Sequence, residues 1–198
     1  MSLRIKLQIT RMNKVRKAGR YLLILIAVYL LYSAGRYILV WKSVSVDPSL
    51  SAKQIFRDFD HQKQEYIDGG ESGDIKTNNF RVKTDSLSTE SYRCDIEDHP
   101  LSLWIRLSTG DESSYGYLIK ITNGRYTLSS YHHTDAPRMF DFFSTEYDRI
   151  LSSRLILNQA SYQKGDRISG YVEVKEQKGY GAEKYFKEGK GYFKGIVR

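Results

Sequence analysis

The sequence predicts a mainly β protein, an antiparallel β-sandwich or open up-and-down barrel with one or two short helices, behind a single transmembrane α-helix. Three observations carry this. One apolar stretch near the N-terminus, with Arg36 its single charged residue, is long enough to cross a bilayer. From Asn79 onward the hydrophobic period is two, the period of half-buried strands. The links between successive strands are short, which makes neighbours antiparallel.

The apolar run YLLILIAVYLLYSAGRYILVW, residues 21–41, has 21 residues. A helix of that length reaches roughly 31 Å at about 1.5 Å per residue, close to the hydrocarbon thickness of a membrane. It follows a leader, residues 1–20, that holds seven basic residues and no acid: Arg4, Lys6, Arg11, Lys14, Arg16, Lys17 and Arg20. That bias predicts a cytoplasmic N-terminus and an extracytoplasmic C-terminal part, periplasmic or extracellular. Tyr21, Tyr37 and Trp41 suit the headgroup layers, and Arg36 is near enough to the outer end to snorkel. The leader itself suits contact with anionic lipid. Ser33, Ala34 and Gly35 are the small residues of a signal-peptidase site, but the apolar residues resume at Tyr37 and favour a retained anchor.

The net charge of +8 divides unevenly, with +7 in the leader and +1 at Arg36, so that 23 basic and 23 acidic residues remain from Lys42 onward. A neutral outer domain argues against a nucleic-acid partner, which needs a basic footprint on the binding domain itself. Cys94 is the single cysteine, so no intramolecular disulfide can form and the domain depends on its core.

Residues 42–74 read as a juxtamembrane connector and helix. Ser51 and Gln54 have capping-box spacing, and Ile55, Phe56 and Phe59 share a helical face. The glycine-rich DGGESGD, residues 68–74, reads as a surface turn, lacking the residues of a phosphate or calcium loop. Residues 75–198 form the β domain. Its expected inward positions are Phe80 and Val82, then Tyr92, Cys94 and Ile96, then Leu101, Leu103, Ile105 and Leu107, then Tyr115, Tyr117, Ile119 and Ile121. Asn123-Gly124 predicts a type I′ hairpin turn into Tyr126 and Leu128. Phe140, Phe143, Tyr147, Ile150 and Leu151 have helical spacing behind Asp135 and Pro137, predicting a second helix, after which Leu155 to Leu157 resumes as strand. Ile168, Gly170, Val172 and Val174 alternate in a further strand, and the last runs from Gly191 to Val197 with a long loop before it.

No catalytic set, metal site or cofactor motif emerges. Cys94 points inward by alternation and reads as structural. His132, His133 and Asp135 supply acid, base or ligand chemistry at an unspecific spacing and offer the one enzymatic alternative, an anchored hydrolase or transferase. Ser161 and Lys164 form a Ser-x-x-Lys string that resembles the nucleophile motif of penicillin-binding proteins. Its Ser-Asp-Asn and Lys-Thr-Gly partners are absent, and Gln163 to Asp166 predicts a turn instead. The tail KGYGAEKYFKEGKGYFKG interleaves cations with rings, the composition that stacks on sugars and attracts anions. Lys178, Tyr180, Lys184, Tyr185, Phe186 and Tyr192 are therefore the expected binding residues. The functional expectation is a non-catalytic binding domain held at the cell envelope, with lipid at its anchor and an envelope protein or glycan as partner. A barrel holding a small apolar ligand is the remaining alternative.

Overall fold

The structure, a computed structural model, describes residues 2–65, 71–84, 89–109, 113–134, 146–180 and 183–198. The chain divides into two units, Met1–Lys42 and Ser43–Arg198.

The first unit is one helix, α1 (Ser2–Val40). Within it Gly19–Val40, 22 residues, is long and apolar enough to span a membrane. The large apolar side chains from Tyr21 to Tyr32 are 46–73 % exposed. Tyr37 and Trp41 stack at 5.2 Å near its end.

The second unit is mainly β and antiparallel. It opens with β1 (Lys42–Ser43), β2 (Ser45–Val46), a 3-10 turn (Pro48–Ala52) and α2 (Gln54–Asp60). The hairpin of β3 (Lys63–Glu65) and β4 (Glu71–Ile75) and the pair β5 (Arg81–Thr84) and β6 (Thr89–Ser91) follow. Then come β7 (Arg93–His99), β8 (Ser102–Ser108), β9 (Ser113–Thr122), β10 (Arg125–Thr134), β11 (Glu146–Leu157), β12 (Arg167–Tyr180) and β13 (Glu183–Ile196). One sheet has the order β1-β10-β9-β8-β7, a meander; the other has the order β2-β11-β12-β13-β5-β6. Only β2 on β11 pairs in parallel among the pairings with described register. Among the described residues the two sheets do not close into a barrel.

Alternation places one row of each strand between the sheets, and these rows meet in a single apolar cluster. Val82, Ile105, Leu107, Ile119, Val172 and Phe193 are wholly buried in it. The Asn123-Gly124 turn has both residues at positive φ, 50° and 70°, as a type I′ hairpin demands. Other glycines allow close approach, Gly170 and Gly191 among them. Gly170 faces Phe193 across the β12–β13 pair, and the ring occupies the space a Cβ would take; Gly191 has the Phe80 backbone there instead.

A second, smaller cluster of Leu50, Phe56 and Phe59 covers one end of the outer face of the second sheet, at Ile156 and Tyr192. Lys194 on β13 fixes α2 by donating to Phe56 O and Asp60 Oδ1, both at 2.7 Å. The hydrogen bond from Lys194 holds the Asp60 carboxyl below its ordinary 3.8. A depressed carboxylate stabilises above its unfolded value and loses that effect as pH falls through the folded one. The urea midpoint of Asp60→Asn should therefore lie below wild type at pH 7, and the gap should close as pH falls below 3.8.

Several expectations need correction. The helix predicted behind Asp135 is strand in its second half, since Tyr147, Ile150 and Leu151 belong to β11; residues 135–145 lie outside the described residues. The cause is a bulge between Ile150 and Ser152 that leaves Leu151 unopposed on β12 and 41 % exposed. One inserted residue breaks the period of two and mimics helical spacing. The loop predicted before Gly191 is strand as well, paired with β12 from Glu183 onward. Leu101 stands in the β7–β8 turn, 85 % exposed rather than inward. The capping box at Ser51 does not form. Lys53 holds the N-cap position of α2 without a side-chain cap bond; Asp47 caps the preceding 3-10 turn, accepting from Ser49 N at 3.0 Å, and Gln54 reaches Asp58 at 2.9 Å. Of the turn at 68–74, residues 71–74 are strand in β4 and the others lie outside the described residues.

Candidate functional site: a polar cleft at one end of the sandwich

The inward row of the second sheet changes character along its length. On β12 it runs from Ile168 through Val172 and Val174 to Glu176 and Lys178, from apolar core to charge. Register aligns Asp148, Lys178 and Tyr185 in one rung, and Ile150, Glu176 and Lys187 in the rung one step deeper. Opposite, on the first sheet, Tyr115 pairs with His132 and Tyr117 with Ser130. The sheets thus part into a cleft of about 340 Å³ lined by Tyr115, Tyr131, His132, Asp148, Lys178, Gly179, Tyr185 and Lys187.

Contacts across the sheets define its base. The Tyr117 hydroxyl donates to Glu176 Oε2 at 2.9 Å, and Ser130 Oγ donates to Asp148 Oδ2 at 3.3 Å. Lys178 Nζ lies 3.3 Å from Asp148 Oδ2 and 3.9 Å from Glu176 Oε1. Lys187 Nζ lies 5.5 Å from the centre of the Tyr115 ring, a cation–π contact. Glu176 is wholly buried, and its Oε1 has no hydrogen-bond partner; the buried Tyr131 hydroxyl has none either. An unpartnered polar atom of this kind is costly and marks a place where a ligand group or water completes the set. The cleft offers cations, carboxylates and aromatic faces together, the means to hold a hydroxyl-rich or zwitterionic ligand by hydrogen bonds and stacking.

Strand alternation splits the predicted binding residues. Lys178 and Tyr185 line the cleft. Phe186 is 41 % exposed and, with Lys184 and Tyr192, belongs to the opposite, outward row of β13. Tyr192 there is taken up by packing, with its ring 5.7 Å from Phe56 and 4.7 Å from Tyr171. Tyr180 ends β12, and its side chain lies outside the described residues. Of the enzymatic alternative, exposed His132 lines the cleft, whereas the His133 side chain and Asp135 lie outside the described residues.

Asp148 and Glu176 escaped the sequence reading for different reasons. The bulge disguised the strand that carries Asp148. For Glu176 a signal existed, because the alternation of Ile168, Val172 and Val174 continued two steps further puts it and Lys178 inward. The other singled-out groups stand apart from the cleft. Cys94 packs against the core, and burial, with Asp95 adding to it, pushes its thiol far up and out of nucleophilic range. His99 stacks on Trp104 at 4.0 Å and meets Glu97 at 3.3 Å. Ser161 and Lys164 are exposed in the turn between β11 and β12, where Gln163 N donates to Asp166 at 2.8 Å. Among the described residues no group of three or more His, Cys, Asp or Glu is placed to hold a metal ion. No protein-family model, no curated protein and no solved structure matches this chain.

Proposed function

We propose that this chain is a single-pass membrane protein with its N-terminus in the cytoplasm, and that its β domain serves outside the membrane as a non-catalytic binding module. The ligand, a glycan or an extended segment of an envelope protein, enters the cleft between the sheets. The observation that carries the reading is the convergence of Lys178, Lys187, Asp148, His132 and three tyrosines on one cleft, beside the wholly buried Glu176 whose Oε1 makes no hydrogen bond. The cationic leader and the 22-residue apolar helix support the topology. Tethering at a membrane raises the domain's effective concentration for partners there, which suits a site built for modest contacts.

One reagent tests both parts. Tyr185→Cys is reacted in intact cells with a membrane-impermeant, thiol-reactive, photoactivatable biotin label, and Ser161→Cys, in the turn at the other end of β11 and β12, serves as the control. The half-buried Cys94, its thiol pushed far up, does not compete. Both variants should label from outside, and illumination should transfer biotin to a partner from position 185 alone. Labelling only after permeabilisation would refute the topology. Labelling without transfer above the control would refute the binding module.

A further inference from the structure

The second sheet has an outer face with its own chemistry. The neighbours of the buried Val172 and Val174 point outward, and register arranges them in two rungs across four strands. The first is Arg154, Glu173, Lys190 and Arg81; the second is Ser152, Lys175, Glu188 and Lys83. Five cations thus face two carboxylates, although the whole domain is neutral. Charge has been sorted onto this face.

The surface is concave. A groove of about 680 Å³ runs over it, lined among others by Lys83, Arg154, Glu173, Lys175, Glu188 and Lys190. Lys175 meets Glu188 at 2.6 Å, and the Tyr171 hydroxyl donates to Glu173 at 2.7 Å. Burial and that donated bond push Tyr171 up to about 12, so it remains a donor. Among the described residues no ion pair engages Lys83, Arg154 or Lys190. Phe186 marks one end of the face and Tyr192 the other; at about 3.3 Å per residue their separation is roughly 20 Å.

We infer that this face is a docking groove for a linear acidic polysaccharide. Lys83, Arg154 and Lys190 hold its carboxylates, spaced along the groove by the strand repeat. Glu173 and Glu188 each use Oε1 for Tyr171 and Lys175 and leave Oε2 to accept from sugar hydroxyls, whereas a phosphodiester backbone presents only acceptors. Phe186, 41 % exposed, offers a ring face to a sugar. The concavity disfavours a flat bilayer as the occupant. The inference is independent of the cleft.

The test uses the full chain in nanodiscs of neutral lipid with biotinylated polygalacturonate as the probe. Because the leader is also cationic, a variant with its seven basic residues changed to Gln is the essential control. Wild type should bind with an affinity that falls as salt rises. The Lys83→Gln, Arg154→Gln, Lys190→Gln triple should lose about tenfold, as a few exposed charge contacts predict, while the leader variant keeps its binding. If the triple melts early, the single Lys83→Gln and Lys190→Gln variants should each lose about twofold instead. Absence of binding, equal binding by the triple and the wild type, loss only in the leader variant, or equal competition by single-stranded DNA of matched charge would each overturn the assignment.

Discussion

Phe193→Ala is expected to destabilise the β domain by about 3–5 kcal/mol, the range for deleting a buried aromatic ring. Phe193 is fully buried, and its ring fills the space beside Gly170 that a Cβ would take. Truncation leaves a void bounded on one side by a residue with nothing to move into it. A domain whose whole stability is of the order of 5–15 kcal/mol would lose a large share. Urea unfolding followed by tryptophan fluorescence should show a lowered midpoint at an unchanged slope. A loss below about 1 kcal/mol would mean that the sheets close over the gap, and that the ring is not the keystone described here.

Lys178→Met should cost about 1–3 kcal/mol for a different reason. Glu176 is completely buried, and Lys178, 3.9 Å from its Oε1, is the nearby cation described for it. Removing one partner of a buried pair costs about 3–5 kcal/mol because a charge is left uncompensated. The Lys178 side chain is 22 % exposed and shares its ammonium with Asp148, so the smaller figure applies. Adding Glu176→Gln should recover most of the loss, since an amide needs no counter-ion and can still accept from the Tyr117 hydroxyl. If the double variant were as unstable as the sum of the singles, the two side chains would not be coupled and the base of the cleft would be misread.

How far the sequence disclosed this molecule depends on which period governed each segment. Strands with undisturbed alternation were legible: Leu103, Ile105 and Leu107 are buried as their pattern required, and Asn123-Gly124 turns where the dipeptide said. Legibility failed where one residue or one glycine altered the pattern. The bulge at Leu151 disguised β11, and the glycines of β13 read as loop punctuation because the groups that stand over them, Phe80 at Gly189 and Gly191 and Ile96 at Gly195, come from distant strands. The cleft was half visible. Composition pointed to Lys178 and Tyr185, but pairing them with His132 and Asp148 required knowing that two sheets separate at that end. Composition also could not divide one aromatic, basic tail between two opposite faces; only the strand phase does that.

The close-approach glycines differ in what blocks them, and this difference bears on how the sequence can drift. At Gly170 the obstacle is the Phe193 side chain, so a larger residue becomes admissible once the ring shrinks; the two positions can exchange bulk and should vary as a couple in descendants. At Gly191 the obstacle is the main chain at Phe80, and at Gly116 it is the Leu107 carbonyl, which no replacement elsewhere removes. Those two sites should stay frozen as glycine however far the surrounding chain diverges.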